Sequence, residues 1–195
     1  MSALKNLAEK IAPPKNTALR NHPDAIAFTS IVPVVTKEDC LAHMSNQHIK
    51  SIILTHGDIQ NRRTNVKAAM TSWWIHKNET IFAELCAQAI ELAEKNGPHK
   101  IGMETSECWG AVYKEGDFTQ THDHWPNLWS WVYNVESCSE CSPLKFQTQY
   151  HTHEIPPKEG NMILFPAWIL HSVPTQTCKH DRIVVAGNIK TNDRS

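Results

Sequence analysis

The sequence has no apolar run approaching the roughly 18 residues that a membrane-spanning helix needs. Its first residues, MSALKNLAEKIAPPK, are charged and amphipathic, with neither a hydrophobic h-region nor a small-residue cleavage site, so no signal peptide is expected. Charge of either sign is not in excess. Lys+Arg number 19 and Asp+Glu 20, for a net charge of -1, and nothing in that balance recruits a phosphate backbone. No internal repeat or low-complexity tract is visible. With 41% apolar and 20% charged residues, the composition excludes a disordered or collagen-like chain. The 195 residues amount to one ordinary domain, or one domain with a short appendage, long enough to bury a core without covalent staples.

Histidine is plentiful instead. There are 12, and imidazole is both the commonest metal ligand and a titrator near neutrality. The six cysteines, in a chain without a secretory signal, are expected as free thiols in a reducing, cytoplasmic compartment. The seven tryptophans are large anchors of the kind that line clefts.

The two halves differ in texture. In residues 1–25, Leu4, Leu7 and Ile11 share a helical face that Pro13-Pro14 ends. A strand is expected over 26–35, a helix over 37–48, a short strand over 51–55 and a strand or buried extended segment over 68–76. A helix is expected from Asn78 as N-cap to a C′ glycine at Gly97, with an apolar stripe of Ile81, Phe82, Leu85, Cys86, Ala89, Ile90 and Ala93. From residue 100 the segments are short and rich in Trp, Val, Ile and Tyr. Strands are expected over 108–113, 117–124, 128–135, 144–150, 161–165, 168–173 and 182–190. Helices followed by a run of short strands describe an α+β chain whose second half is a small β-sandwich or barrel.

Three places in that half bear chemistry. In Phe118-Thr119-Gln120-Thr121-His122-Asp123-His124, strand alternation points His122 and His124 the same way and Asp123 the other. Such a pair can bind one metal side by side, or be a surface pair; a bulge would turn Asp123 inward as the ligand instead. The apolar run NMILFPAWIL ends in His171, which can complete a metal site or sit as a core histidine bonded to backbone. Arg182 opens the last strand and shares a face with Val184, Ala186 and Asn188. An inward Arg there needs an anion, and its fork suits a carboxylate; a surface salt bridge is the plainer reading. Trp109, Trp129, Trp131 and Tyr133 read as core and pocket wall, and Trp125-Pro126 as a rim over an entrance or a simple turn. Cys138-x2-Cys141 with His151 and His153 is a zinc-like set with unusually short histidine spacing, or two exposed loop thiols.

Together, GDFTQTHDHWPNLWSWVYNV, EGNMILFPAWILHSV and DRIVVAGNI resemble the 2-oxoglutarate/Fe(II)-dependent dioxygenases, most of all the short branch related to prolyl 4-hydroxylases. Residues 65–75 resemble that branch more loosely. The resemblance implies a double-stranded β-helix, or jelly roll, with supporting N-terminal helices. It divides the chain into an N-terminal extension at 1–25 and one oxygenase domain at 26–195 with its catalytic β core at about 100–190. It implies Fe(II) held by His122, His124 and His171, 2-oxoglutarate held by Arg182 with Asn188 nearby, and O2 as oxidant. The reaction implied is decarboxylation of 2-oxoglutarate to succinate with hydroxylation of a small-molecule or peptidyl substrate. Trp125, Trp129, Trp131 and Tyr133 are the candidate substrate pocket. His124 stands where such enzymes usually carry Asp or Glu, which leaves the site one charge more positive and keeps two other readings open. One is a three-His cupin-like metalloenzyme without 2-oxoglutarate; the other is a non-catalytic jelly-roll binding module.

Overall fold

The computed structural model describes residues 34–38, 43–56, 65–97, 101–147 and 151–192. The helix expected within 1–25 and most of the strand expected over 26–35 lie outside them. The described elements run β1 (Val35–Lys37), α1 (His43–His56), β2 (Val66–Lys67), β3 (Ala69–Met70), α2 (Thr80–Asn96), β4 (Met103–Tyr113), β5 (Phe118–His122), β6 (Trp129–Glu136), β7 (Leu144–Gln147), β8 (Thr152–Ile155), β9 (Met162–Pro166), β10 (His171–Val173) and β11 (Arg182–Thr191). They form two antiparallel sheets. The major sheet has the order β1-β9-β6-β11-β4-β3 and the minor sheet β2-β5-β10-β7-β8. This is the jelly-roll sandwich expected for the β half, within an α+β chain.

The major sheet is covered on both faces, which explains why β11 reads as a nearly unbroken apolar run (RIVVAGNI) rather than an alternating one. One face meets the helices. Phe82, Leu85, Cys86, Ala89 and Ala93 of α2 and Ile49, Ile52 and Ile53 of α1 bury against Trp131, Tyr133, Ile183, Val185 and Ile189. The other face meets the minor sheet, where Leu144, Phe146 and Val173 pack on Ile163 and Phe165.

Several local expectations are corrected. Residues 51–55 are the second half of α1, not a strand: Ile49, Ile52 and Ile53 are buried at helical spacing while Leu54 is exposed. The N-cap of α2 is Glu79, one residue past the expected Asn78, because Asn78 instead closes a 3-10 turn at Ile75–Lys77. Gly97 ends α2 in an extended conformation (φ -75°, ψ 150°), not as a left-handed C′ residue. β5 stops at His122, so His124 lies just beyond the strand. β8, an edge strand paired with β7, is not among the expected strands.

Gly187 in β11 is required by close approach. A Cβ there would lie 2.7 Å from the buried Trp131 ring and 2.8 Å from the Glu107 carbonyl oxygen. The carbonyl belongs to the paired strand and cannot swing aside. Gly187→Ala is therefore expected to destabilise the protein by about 1–3 kcal/mol, the usual cost of overpacking, measured by chemical denaturation. An unchanged midpoint would show that the sheet yields there.

Candidate metal centre

β5 and β10 pair antiparallel with His122 opposite His171. That register sets the two imidazoles 4.3 Å apart, centroid to centroid. His124 joins them from the turn after β5, its ring 4.8 Å from His122 and 5.1 Å from His171. The turn is held by main chain: His124 N donates to Ala167 O at 2.7 Å and Asn127 N to His124 O at 2.9 Å. One nitrogen from each ring lies within 4.8 Å of the others.

Two of the rings are oriented by their own backbone. His122 Nδ1 lies 2.8 Å from Gln120 O, and His171 Nδ1 lies 3.0 Å from Ile169 O. A carbonyl only accepts, so each Nδ1 carries the proton and each Nε2 keeps a free lone pair. Asn188 sits behind His124, with Nδ2 3.4 Å from His124 Nδ1, too long to fix a tautomer. Its amide is instead held by Ser130 Oγ at 2.8 Å and Glu107 Oε2 at 2.9 Å. On the face it shares with Arg182, Asn188 buttresses the histidine end, and β11 bulges directly after it.

Burial keeps the rings neutral. Desolvation first, then the neighbouring histidines, pulls His124 down to about 3. His171 falls to about 4, again mainly by desolvation, and His122 is lowered for the same leading reason. Unfolded histidine titrates near about 6.5, so between that value and the depressed ones the unfolded chain binds more protons than the folded one. The contribution to stability is complete above about pH 6.5 and is lost as pH falls toward about 4. Melting curves of metal-free protein should show a midpoint that drops across this window. A midpoint that holds or rises on acidification to about pH 5 would contradict neutral burial of the cluster.

Asp123 is not among the clustered groups. It is exposed, and its Oδ1 accepts from Trp125 N at 3.1 Å, tightening the turn. No bulge brings it inward.

The histidines line a cavity of about 500 Å³, its open mouth included, between the two sheets. Arg182 lines the same cavity, 2% exposed, with its guanidinium carbon 5.3 Å from the centroid of the Tyr113 ring. Arg182 Nε has no hydrogen-bond partner, and no carboxylate among the described residues lies in ion-pair range. The plain surface salt bridge is thus not formed among the described residues. Asp117 lies instead 3.9 Å from Lys67. Desolvation lowers the Arg182 pKa, as expected of a cation buried without an anion. Tyr113 and Thr119 were missed by the sequence reading. Their hydroxyls bond to each other at 2.8 Å beside Arg182, and Tyr113 is the direct cross-strand partner of Arg182.

Of the aromatic candidates, Trp131 and Trp109 border the cavity. Trp129 and Tyr133 do not. They alternate with Ser130 and Val132 along β6 and belong to the helix-facing core, where the Tyr133 hydroxyl donates to Asn46. Trp125 is 73% exposed just past His124. Of the two readings of Cys138 and Cys141, the zinc-like set with His151 and His153 is not formed among the described residues. The thiols meet Cys178, while His151 and His153 lie at β8, outside the group.

Two antiparallel sheets closed around this cavity make a double-stranded β-helix of the kind seen in 2-oxoglutarate/Fe(II) oxygenases. Among solved structures the fold matches a viral collagen prolyl hydroxylase from Paramecium bursaria Chlorella virus-1 in complex with 2-oxoglutarate, at TM-score 0.65 and 13% identity over 80% of this chain and 94% of that one. It matches a prolyl-4-hydroxylase from Pseudomonas putida at TM-score 0.64 and 14% identity, over 82% and 92% of the two chains. HygX from Streptomyces hygroscopicus, with nickel, 2-oxoglutarate and hygromycin B bound, matches at TM-score 0.67 and 8% identity, over 83% and 84%. No protein-family model and no curated protein matches the sequence. No helix among the described residues is long and apolar enough to cross a membrane.

Proposed function

We propose that the chain is a 2-oxoglutarate- and Fe(II)-dependent oxygenase that hydroxylates an organic substrate while 2-oxoglutarate is decarboxylated to succinate. The observation that carries this reading is Arg182, a fully buried guanidinium without an anion, facing the same cavity as three neutral imidazoles. A dicarboxylate with a metal-chelating 2-oxo acid at one end and a free carboxylate at the other satisfies both groups. The fold it shares with oxygenases solved with 2-oxoglutarate, iron or nickel supports the same assignment.

His122, His124 and His171 would hold the metal through lone pairs that their burial keeps unprotonated. The bound metal with 2-oxoglutarate and O2 supplies the oxidising power for attack on a substrate C–H bond. The rest falls to the protein's own side chains. Arg182 offers two parallel N–H donors to the far carboxylate, with the hydroxyls of Tyr113 and Thr119 beside it. Leu144, Phe165, Val173 and Val184 give the cavity an apolar wall, and the low polarity around it strengthens that ion pair. Exposed Trp125, Trp168 and Leu170 flank the two histidine-bearing turns and offer a substrate an apolar rim. Residues 26–195 form one oxygenase domain in this reading, and residues 1–25 are an extension outside it.

A three-His metalloenzyme without 2-oxoglutarate has no use for a buried Arg at this place. The deciding experiment measures succinate and oxygen uptake in the absence of any substrate. Slow succinate formation that needs both Fe(II) and 2-oxoglutarate is expected. Tight Fe(II) binding with no 2-oxoglutarate-dependent succinate would overturn the assignment.

A further inference from the structure

Three thiols meet at one edge of the sandwich, away from the histidines. Cys138 and Cys141 lie on the connection from β6 to β7, and Cys178 on the connection from β10 to β11. Cys138 Sγ is 3.3 Å from Cys178 Sγ and 3.6 Å from Cys141 Sγ, and all three sulfurs lie within 4.8 Å of one another. A disulfide would need about 2.05 Å. Tetrahedral zinc with Zn–S bonds of about 2.3 Å spaces its sulfurs by roughly 3.8 Å, close to what is found.

The backbone around the sulfurs is arranged for thiolates. Cys138 N donates to Cys141 Sγ at 3.4 Å, and His180 N to Cys178 Sγ at 3.2 Å. Cys141 N donates to Cys138 O at 3.1 Å, forming the tight turn of a C-x2-C ligand pair. The two connections are fastened before any metal binds. Gln176 accepts from Ser142 N at 2.8 Å and donates to His180 O at 3.2 Å. His180, two residues after Cys178, has a half-exposed ring on the same loop, 3.9 Å from Glu136.

We infer that Cys138, Cys141 and Cys178 bind one zinc ion, with water completing the tetrahedral set. Soft thiolates in a tetrahedral set select zinc over the harder ions that suit oxygen ligands. The site clamps the loop that leads into Arg182, four residues beyond Cys178. Its function is to pin the start of β11. The inference does not depend on the oxygenase reading, since the iron-type site contains no sulfur.

Cobalt(II) titration of the full-length, metal-free protein separates the two sites. An intense near-ultraviolet sulfur-to-cobalt charge-transfer band saturating at one Co(II) per chain is expected, and a three-histidine site cannot give it. Native protein should release one zinc when its thiols are modified with p-hydroxymercuribenzoate, read by a zinc-sensitive dye. Cys178→Ser should abolish the band, whereas His180→Ala should leave it, because the His180 ring lies outside the sulfur cluster. If Cys178→Ser does not fold, the wild-type titration and zinc release decide alone. Absence of the charge-transfer band, no zinc released by thiol modification, or a disulfide among these cysteines in unreduced protein would each overturn the proposal.

Discussion

Arg182→Ala is expected to bind one Fe(II) per chain as the wild type does, while its affinity for 2-oxoglutarate falls by two to four orders of magnitude. Removing one partner of a buried charge pair costs about 3–5 kcal/mol, which converts to that range at roughly 1.4 kcal/mol per tenfold. The cost falls on 2-oxoglutarate because no carboxylate among the described residues pairs with Arg182: its Nε has no hydrogen-bond partner, and its guanidinium lies over the Tyr113 ring in the cavity wall. Lys should rescue only part of the loss, since an ammonium cannot reproduce the planar fork. Arg182→Met sharpens the test. A cation buried without a partner destabilises the free protein, so the Met variant should melt no lower than wild type in the absence of 2-oxoglutarate and should lose the stabilisation that 2-oxoglutarate gives. The visible metal-to-ligand band of a 2-oxo acid chelated to Fe(II) reports binding directly. If Arg182→Ala forms that band at wild-type 2-oxoglutarate concentrations, the argument for this co-substrate is lost and the three-His reading without it leads.

How much of this was legible in the sequence depends on the distance over which each residue is positioned. The strand that Arg182 opens was legible because a strand buried on both faces reads as a continuous apolar run; the run before His171 was legible as β9 for the same reason, but His171 itself opens the separate strand β10 in the minor sheet. The helix at Thr80–Asn96 was legible from its stripe. Residues 51–55 were not, because three apolar residues in a row (Ile52, Ile53, Leu54) fit a buried strand as well as a helix; α1 is decided by tertiary packing, with Ile53 pressed toward Gly110. The same-face argument for His122 and His124 assumed that β5 runs past His124. The strand ends at His122, and a turn bonded to Ala167 brings the second ring round. Tyr113 beside Arg182, and Cys178 beside Cys138, come from strand pairing across about 70 and 40 residues, and no local pattern encodes such register.

The strongest test of the histidine assignment contrasts two substitutions, His171→Ala and Asp123→Asn. His171→Ala is expected to lower Fe(II) affinity by more than the roughly 10–100-fold that losing even an outer partner costs, so that anaerobic titration at micromolar protein no longer shows one Fe(II) per chain. His171 is 5% exposed, with its ring centroid 4.7 Å from that of Phe165. The Ala variant therefore also leaves a cavity, and its apo stability should fall as for other large-to-small changes, by about 2–4 kcal/mol. Circular dichroism on the apo form separates the two effects: a folded but iron-free variant is the expected result. Asp123→Asn should bind iron like wild type, because the side chain faces solvent and the amide oxygen can still accept from Trp125 N. This contrast decides between the two ligand sets that the sequence allowed. Iron lost from Asp123→Asn but kept by His171→Ala would mean that the turn after β5 rearranges on metal binding to bring the carboxylate inward, and the three-histidine site would be wrong.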